Sequence, residues 1–248
     1  MDTDKKHWNA YHKQWKNRWK VPANPRTVSA ILSTLDVKNK KILEVGSGIG
    51  RDSIYLAKLG ADCYLLDYIE APLKIAREIA ETEKVGITII RGDANTLPFP
   101  DSCFDLVYSQ GLIEHFTEPD VLIKEQRRVL KKGGYLLVDV PQKYHIYTLI
   151  KHILMFFNRW TPGWEKEYTV GQLKRLIKGC ELEIVSTYGD WSHPNLFLKG
   201  LMIILKIPRK SPNIDLYQDS GSLMYRFKKT VLAHYTFQHI GVIGRKEG

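Results

Sequence analysis

The sequence contains few cysteines and no long uninterrupted apolar stretch. Its three cysteines, Cys63, Cys103 and Cys180, form no CxxC pair and no spacing typical of metal ligands, which predicts reduced thiols and no metal site. The amino-terminal segment has no apolar core of the kind found in signal peptides. The most apolar segments, Tyr147–Phe157 and Leu196–Ile207, contain lysine and fall short of the ~20 residues that span a bilayer. We therefore expect a cytoplasmic protein without a membrane-spanning helix.

Acidic residues are in deficit, since 27 Asp and Glu stand against 37 Lys and Arg, a formal charge of +10. This balance favours an anionic partner, which could be a nucleic acid, an acidic substrate or a lipid surface. The 248 residues, of which 44% are hydrophobic, suffice for the core of one large α/β domain or two small ones. Internal repeats and low-complexity tracts are absent from the sequence.

Strand and helix patterns alternate between residues 40 and 141. The predicted strands are Lys41–Val45, Asp62–Asp67, Ile87–Arg91, Phe104–Ser109 and Tyr135–Val140, and the predicted helices are Gly50–Leu59, Ala71–Glu83 and Asp120–Leu130. Two further strands, Leu182–Tyr188 and Thr236–Arg245, follow after Pro141. The pattern predicts an α/β protein with a Rossmann-like, seven-stranded and mostly parallel sheet that carries helices on both faces.

The remaining segments are predicted to be helical and accessory to that sheet. Before the sheet come a basic helix with an aromatic stripe, formed by Trp8, Tyr11, Trp15 and Trp19, and a short helix over Pro25–Thr34; after it come helices over Gln142–Trp160, Thr169–Lys178 and Leu196–Lys206. We expect a single domain over residues 1–248. Its predicted parts are an N-terminal helical lid at 1–35, a cofactor-binding core at 40–141, and substrate-cap insertions at 142–180 and 190–233.

The turn after the first predicted strand contains three glycines at alternate positions, in the stretch "EVGSGIG". Glycine allows both a tight turn and the close approach of a ligand to the backbone. Asp67 ends the next strand about twenty residues on, where an acid can accept hydrogen bonds from ribose hydroxyls.

Arg51 occupies the place of the third small residue of a dinucleotide fingerprint, and no Gly-Lys-Ser/Thr phosphate loop is present. Glu44 would repel a pyrophosphate and attract a cationic amino group. These features indicate S-adenosylmethionine, although the glycines alone would also suit a plain strand–helix turn.

Four motifs in order extend this indication over roughly Lys40 to Gln142. They are "LEVGSGIGRDSIYLAKLGA", "LLDYIEAPLKIARE", "RGDANTLPFPDSCFDLVYSQGLIEHF" and "EQRRVLKKGGYLLVDVP". Together they resemble the motifs of class I S-adenosylmethionine-dependent methyltransferases. Within that superfamily the chain resembles small-molecule enzymes, such as those that methylate ubiquinone and menaquinone precursors or sterols. The resemblance implies S-adenosyl-L-methionine as the cofactor.

The resemblance also implies a role for each matching residue. Glu44, Gly46, Ser47, Gly48 and Gly50 would cradle the methionine part, Asp67 would hold the ribose hydroxyls, Tyr68 would pack on adenine, Asp93 and Ala94 would bind the adenine edge, and Gln110 would face the methionine or the substrate. Two of these residues have plainer explanations, since Asp93 could cap a helix and Tyr68 could be a surface aromatic.

His115 follows the fourth strand and is the predicted general base, because an imidazole titrates near ~6.5. Glu114, Tyr144 and His145 are the other candidates. An acceptor that is itself acidic would need no base.

The accessory segments are expected to select the methyl acceptor. Tyr11 and Trp15 in the lid, and Tyr144 and Trp164 in the first cap, are the candidate substrate residues. The mixture of apolar and lysine residues suits a hydrophobic or anionic small molecule, such as a quinone, isoprenoid or lipid-like compound, or a peripheral membrane contact. RNA methylation and a non-catalytic cofactor-binding protein are the alternatives, and nucleic acid is less favoured because no separate RNA-binding module is evident. The protein is expected to be a monomer or a homodimer.

Overall fold

A computed structural model describes residues 23–157, 165–190 and 237–247 of the chain. The predicted helices around Trp15 and over Leu196–Lys206 lie outside these residues, as do the candidate substrate residues Tyr11, Trp15 and Trp164.

The described residues form one seven-stranded sheet in the order β3-β2-β1-β4-β5-β7-β6. Its strands are β1 (Lys41–Val45), β2 (Asp62–Asp67), β3 (Thr88–Arg91), β4 (Phe104–Gln110), β5 (Leu130–Pro141), β6 (Leu182–Asp190) and β7 (His239–Lys246). The first five strands pair in parallel, whereas β7 is antiparallel to both β5 and β6. The predicted Rossmann-like α/β sheet is therefore confirmed. The strand order reverses between β1 and β4, and open α/β sheets bind ligands at such a switch point.

The helices connect these strands and pack on the sheet. They are α1 (Pro25–Thr34), α2 (Arg51–Lys58), α3 (Glu70–Glu83), α4 (Pro119–Val129), α5 (Ile146–Phe156) and α6 (Val170–Gly179), with a short 3₁₀ helix at Ile113–His115. Local capping explains two of their starts. The Asn24 side chain accepts a hydrogen bond from the Arg26 amide at the start of α1, and Thr169 and Gln172 form a reciprocal capping box at α6.

Alternate residues of the central strands point to opposite faces of the sheet. Leu43 and Val107 join the core on one face, and Ile42 and Leu106 join the core on the other. Strands buried on both faces have near-continuous apolar sequences, which is why "KILEV" and "FDLVYSQ" show little alternation. Leu173 of α6 is buried in the first core, so α6 packs as part of the main body.

Strand β5 is longer than the predicted Tyr135–Val140, because it begins directly after α4 at Leu130. Phe104 pairs with Leu130 and Leu106 pairs with Tyr135, so the "KKGG" stretch forms a local irregularity within the ladder. A polar, glycine-rich stretch predicts a loop, and only the pairing with β4 keeps it within the strand. In the described ranges, no helix has the length and hydropathy needed to cross a bilayer.

Candidate active site

A cavity of about 190 Å³ lies at the carboxyl ends of β1 and β4, at the switch in strand order. Its lining comes from the glycine turn, the first turn of α2, the start of α1 and the end of β4. The lining residues are Asn24, Glu44, Gly46, Ser47, Gly48, Ile49, Gly50, Arg51, Asp52 and Gln110. Six of the predicted cofactor residues therefore surround one cavity: Glu44, Gly46, Ser47, Gly48, Gly50 and Gln110.

Two glycines of the turn are required by its backbone and by its packing. Gly46 and Gly50 adopt φ values of +70° and +63°, a region that disfavours other residues. A Cβ atom on Gly46 would lie 2.7 Å from Leu112 Cδ1, and one on Gly50 would lie 2.4 Å from Leu65 Cδ1. The turn is thus held tightly between the end of β2 and the loop that follows β4.

Two buried carboxyl groups lie at this cavity. Glu44 accepts a hydrogen bond of 2.7 Å from Ser53 Oγ, which also lies 2.7 Å from the Tyr108 hydroxyl. Burial, reinforced by repulsion from Asp52, raises the pKa of Glu44 to about 8, and the hydrogen bonds from Ser53 and Tyr108 oppose this rise. Burial also raises the pKa of Asp52.

Gln110 is tied into a network that joins α1 to α2. Its amide nitrogen donates to Asp52 Oδ2 at 2.5 Å, and its oxygen accepts from Asn24 Nδ2 at 3.0 Å and from Thr27 Oγ1 at 2.6 Å. The Asn24 backbone amide donates to Asp52 Oδ1 at 2.6 Å. Gln110 thus lines the cavity while its amide group positions Asp52 and Asn24.

Asp67 lies beside the glycine turn and not in the cavity lining. The amides of Gly48 and Ile69 each donate to its carboxylate at 2.8 Å, one to each oxygen. These bonds hold the carboxylate at the end of β2. Its role toward ribose stays a prediction.

The residues predicted to bind adenine follow β2 and β3 and lie outside the cavity lining. Tyr68 is 40% exposed, so its ring is accessible. Asp93 accepts hydrogen bonds of 2.9 Å from both the backbone and the side-chain nitrogen of Asn95, which makes it the start of a turn and not a helix cap. Ala94 is buried.

The candidate catalytic residues lie beyond the ends of β4 and β5. His115 is half-buried at the end of the 3₁₀ helix. Glu114 beside it is buried, and burial raises the pKa of its carboxyl well above the usual range. Burial lowers the pKa of His145, whereas the Tyr144 side chain is 62% exposed. Among these candidates, His115 has a side chain that is partly accessible and also lies on the loop next to the cavity.

Sequence reasoning did not identify Asp52 or Asn24 as site residues. An aspartate in the first turn of a helix is ordinarily explained by the helix dipole, and an asparagine before a proline by capping. Their joint position at the cavity depends on contacts across 28 residues, which no local pattern shows.

Comparison with known proteins supports a methyltransferase, the class of protein that the fold and the cavity suggest. Residues 43–138 match the family model described as a methyltransferase domain. A ubiquinone biosynthesis O-methyltransferase from Coxiella burnetii is 26% identical over 176 residues, which cover 69% of this chain and 75% of that protein. A fatty-acid O-methyltransferase from Mycolicibacterium smegmatis is 36% identical over 154 residues, which cover 60% of this chain and 50% of that protein.

A solved structure of similar fold comes from Thermotoga maritima and is described as a SAM-dependent methyltransferase. It superposes with a TM-score of 0.68 at 18% identity, over 100% of both chains, which supports the fold.

The sheet therefore belongs to the Rossmann-like class. Residues 43–138 carry a methyltransferase domain, and its family implies S-adenosylmethionine as the cofactor. The described residues fit that cofactor, because two carboxyl groups face a cavity in which a cationic ligand would be stabilised. Ser47 Oγ, in the same lining, is buried and makes no hydrogen bond within the described part of the chain.

Proposed function

We propose that this methyltransferase modifies an oxygen atom of a small hydrophobic or anionic acceptor, such as a quinone, isoprenoid or lipid-like compound. Two relatives named as O-methyltransferases, one of ubiquinone biosynthesis and one of fatty acids, support an oxygen acceptor on an apolar molecule. The structural observation that supports catalysis beside the cofactor is the close approach of Leu112 to Gly46, since His115 follows three residues after Leu112.

The proposed division of labour follows the position of each residue. Glu44, Ser47 and the glycines of the turn would hold the methionine part, Asp67 the ribose, and Tyr68, Asp93 and Ala94 the adenine, while Gln110 keeps Asp52 in place. S-adenosylmethionine supplies a methyl group that its positively charged sulfur already activates. The remaining tasks of the protein are to orient the acceptor oxygen, to exclude water and to remove a proton where the acceptor carries one.

We assign the proton removal to His115, which lies on the loop after β4. Replacement of His115 by alanine should lower the methyl-transfer rate by roughly 10²–10⁴-fold for a hydroxyl acceptor and leave cofactor affinity unchanged. A carboxylic acid acceptor is already ionised near neutral pH, and its methylation should be much less affected. An unaltered rate with both acceptors would make His115 a structural residue.

The acceptor side of the site is assigned to the segments that follow β5. Lys151 of α5 is buried and lies 3.2 Å from a Glu165 carboxylate oxygen and 3.1 Å from one of Glu167, so α5 is anchored to the chain that precedes α6. Tyr144 lies at the start of this region and is a proposed substrate contact, together with Tyr11, Trp15 and Trp164. The segments that follow β5 would also form the proposed peripheral membrane contact.

The first test is calorimetric titration of the whole chain with S-adenosylmethionine, S-adenosylhomocysteine and NAD. Micromolar binding of the two sulfur compounds without NAD is expected, and no binding of either would overturn the assignment.

The second test offers labelled methyl donor with octanoic acid, a quinol and transfer RNA as separate acceptors. Label on the acid or the quinol supports the proposal, whereas label on RNA alone overturns it. Cofactor binding without transfer to any acceptor would favour a non-catalytic binding protein.

A further inference from the structure

The two carboxyl groups at the cavity lie close together, and no described side chain forms an ion pair with either of them. Glu44 and Asp52 are 5% and 4% exposed, and within the described residues neither carboxyl forms an ion pair. Their hydrogen-bond donors among the described residues are uncharged. They are the Ser53 and Tyr108 hydroxyls for Glu44, and the Asn24 amide and Gln110 side chain for Asp52. Burying two like charges without a counter-ion is unfavourable, so this end of the cavity requires either a proton or a cation.

We propose that Asp52 acts with Glu44 as a charge-selective pair that favours S-adenosylmethionine over S-adenosylhomocysteine, and that the pair releases a proton when S-adenosylmethionine binds. Both ligands carry a cationic amino group, and S-adenosylmethionine adds the sulfonium charge to which the pair responds. The O–H bond of one carboxyl breaks, and the proton passes to the buffer. The positive charge of the ligand then takes over the role of that proton. This inference rests on the proposed cofactor binding and adds Asp52 as a residue that determines selectivity.

Near neutral pH the released proton comes from the carboxyl pair itself, because the neighbouring groups named below cannot supply it. Burial raises the pKa of Glu44 to about 8, so the pair retains a proton at pH 7 in the empty site. Among the described residues, the other charged or titratable groups that act on the pair are the Arg51 and Arg26 guanidiniums, the Tyr108 hydroxyl and the Cys63 thiol. Arginine stays protonated in proteins. Burial raises the pKa of Tyr108 and of Cys63 far above neutrality, so neither releases a proton at pH 7.

The test is calorimetry of the whole chain at pH 7 in phosphate and in Tris, two buffers with different enthalpies of ionisation. The difference between the apparent binding enthalpies measures the protons released. We expect roughly 0.5–1 proton per S-adenosylmethionine bound, fewer for S-adenosylhomocysteine, and a decline toward zero at about pH 9, where the pair is already ionised. Glu44→Gln should abolish the release. Measurable S-adenosylmethionine binding without proton release in the wild type would overturn the inference alone, whereas failure of all binding would overturn the proposed function.

A second readout separates selectivity from structural support. Asp52→Asn should lower affinity for S-adenosylmethionine about tenfold more than affinity for S-adenosylhomocysteine, because only the first carries the sulfonium charge. A merely structural role would weaken both affinities equally, and that result would overturn the role of Asp52. Asp62→Asn, which removes an exposed carboxyl at the start of β2, is the matched control and should change neither ratio nor proton count. If Asp52→Asn does not fold, the proton count of Glu44→Gln decides the inference.

Discussion

Two buried acidic positions at the carboxyl edge of the sheet are neutralised in different ways. At the end of β5, Asp139 receives two hydrogen bonds of 2.9 Å from the Arg26 guanidinium, a bidentate ion pair that ties α1 to the sheet. At the end of β1, Glu44 is bonded to a hydroxyl and is repelled by Asp52. Among the described residues, the first carboxylate forms an ion pair and the second forms none.

The difference shows which acid serves the fold and which serves the ligand. The Arg26 and Asp139 side chains are only 6% and 1% exposed, so they are inaccessible to a ligand. Their bidentate pair instead fixes the position of α1 on the sheet. Glu44 and Asp52 line the cavity and leave a negative environment open to a cation. Four predictions examine this contrast, from the largest expected effect to the smallest.

Replacing Arg26 by methionine should lower the free energy of unfolding by about 3–5 kcal/mol at neutral pH, because Asp139 would lose its bidentate partner. Only the His239 imidazole, whose Nδ1 lies 3.8 Å from Asp139 Oδ1, would then remain as an ion-pair partner among the described residues. Urea unfolding followed by circular dichroism measures the loss. Arg77→Met removes an exposed arginine of α3 and is the matched control, with an expected change within about 0.5 kcal/mol. A loss of under about 1 kcal/mol in Arg26→Met would show that the pair does not stabilise α1.

Replacing Asp67 by alanine should weaken S-adenosylmethionine binding by roughly 10–100-fold, because hydrogen bonds to a charged group contribute about 1.5–3 kcal/mol. Calorimetry measures the affinity. The Gly48 and Ile69 amides would lose their acceptor, so unfolding should be measured in parallel to separate lost binding from a loosened turn. Asp62→Ala, at the other end of β2, is the control. Equal affinities in the two variants would remove Asp67 from the site.

The stability of the empty protein should depend on pH through Glu44. The folded carboxyl has a pKa of about 8, above its value in the unfolded chain, so the folded state binds more protons between these two pKa values. The free energy of unfolding should therefore fall as pH rises from about 5 to 8. In Glu44→Gln this decrease should be smaller than in the wild type by roughly 1–3 kcal/mol. Urea unfolding at pH 5, 6.5 and 8 measures the difference between the two proteins. Parallel curves for wild type and variant would contradict the prediction.

Replacing Lys58 by alanine should change stability by under about 1 kcal/mol, although its Nζ lies only 2.6 Å from Glu83 Oε2. Both side chains are exposed, at 40% and 44%, so water screens the pair. A double-mutant cycle with Glu83→Ala isolates the interaction. A coupling energy as large as that of Arg26 with Asp139 would show that burial is not what separates the two pairs.

Local patterns in the chain predicted the alternation of strands and helices, the glycine turn and the acid at the end of β2. Each of these depends on residues that are close in sequence, such as Gly46 and Gly50 in a turn that needs positive φ. The irregular start of β5 was missed, because pairing between strands holds a stretch that by itself predicts a loop.

The sequence by itself determined the Rossmann-like class and most of the residues around the glycine turn, because apolar periodicity and backbone geometry are local properties. Only the tertiary structure decided which acids are paired and which face the cavity. Arg26 and Asp139 are 113 residues apart, and Asp52 and Gln110 are 58 apart. Hydrogen bonds between such residues form only when the sheet brings its strand ends together, and the same packing that buries Glu44 beside Asp52 raises its pKa.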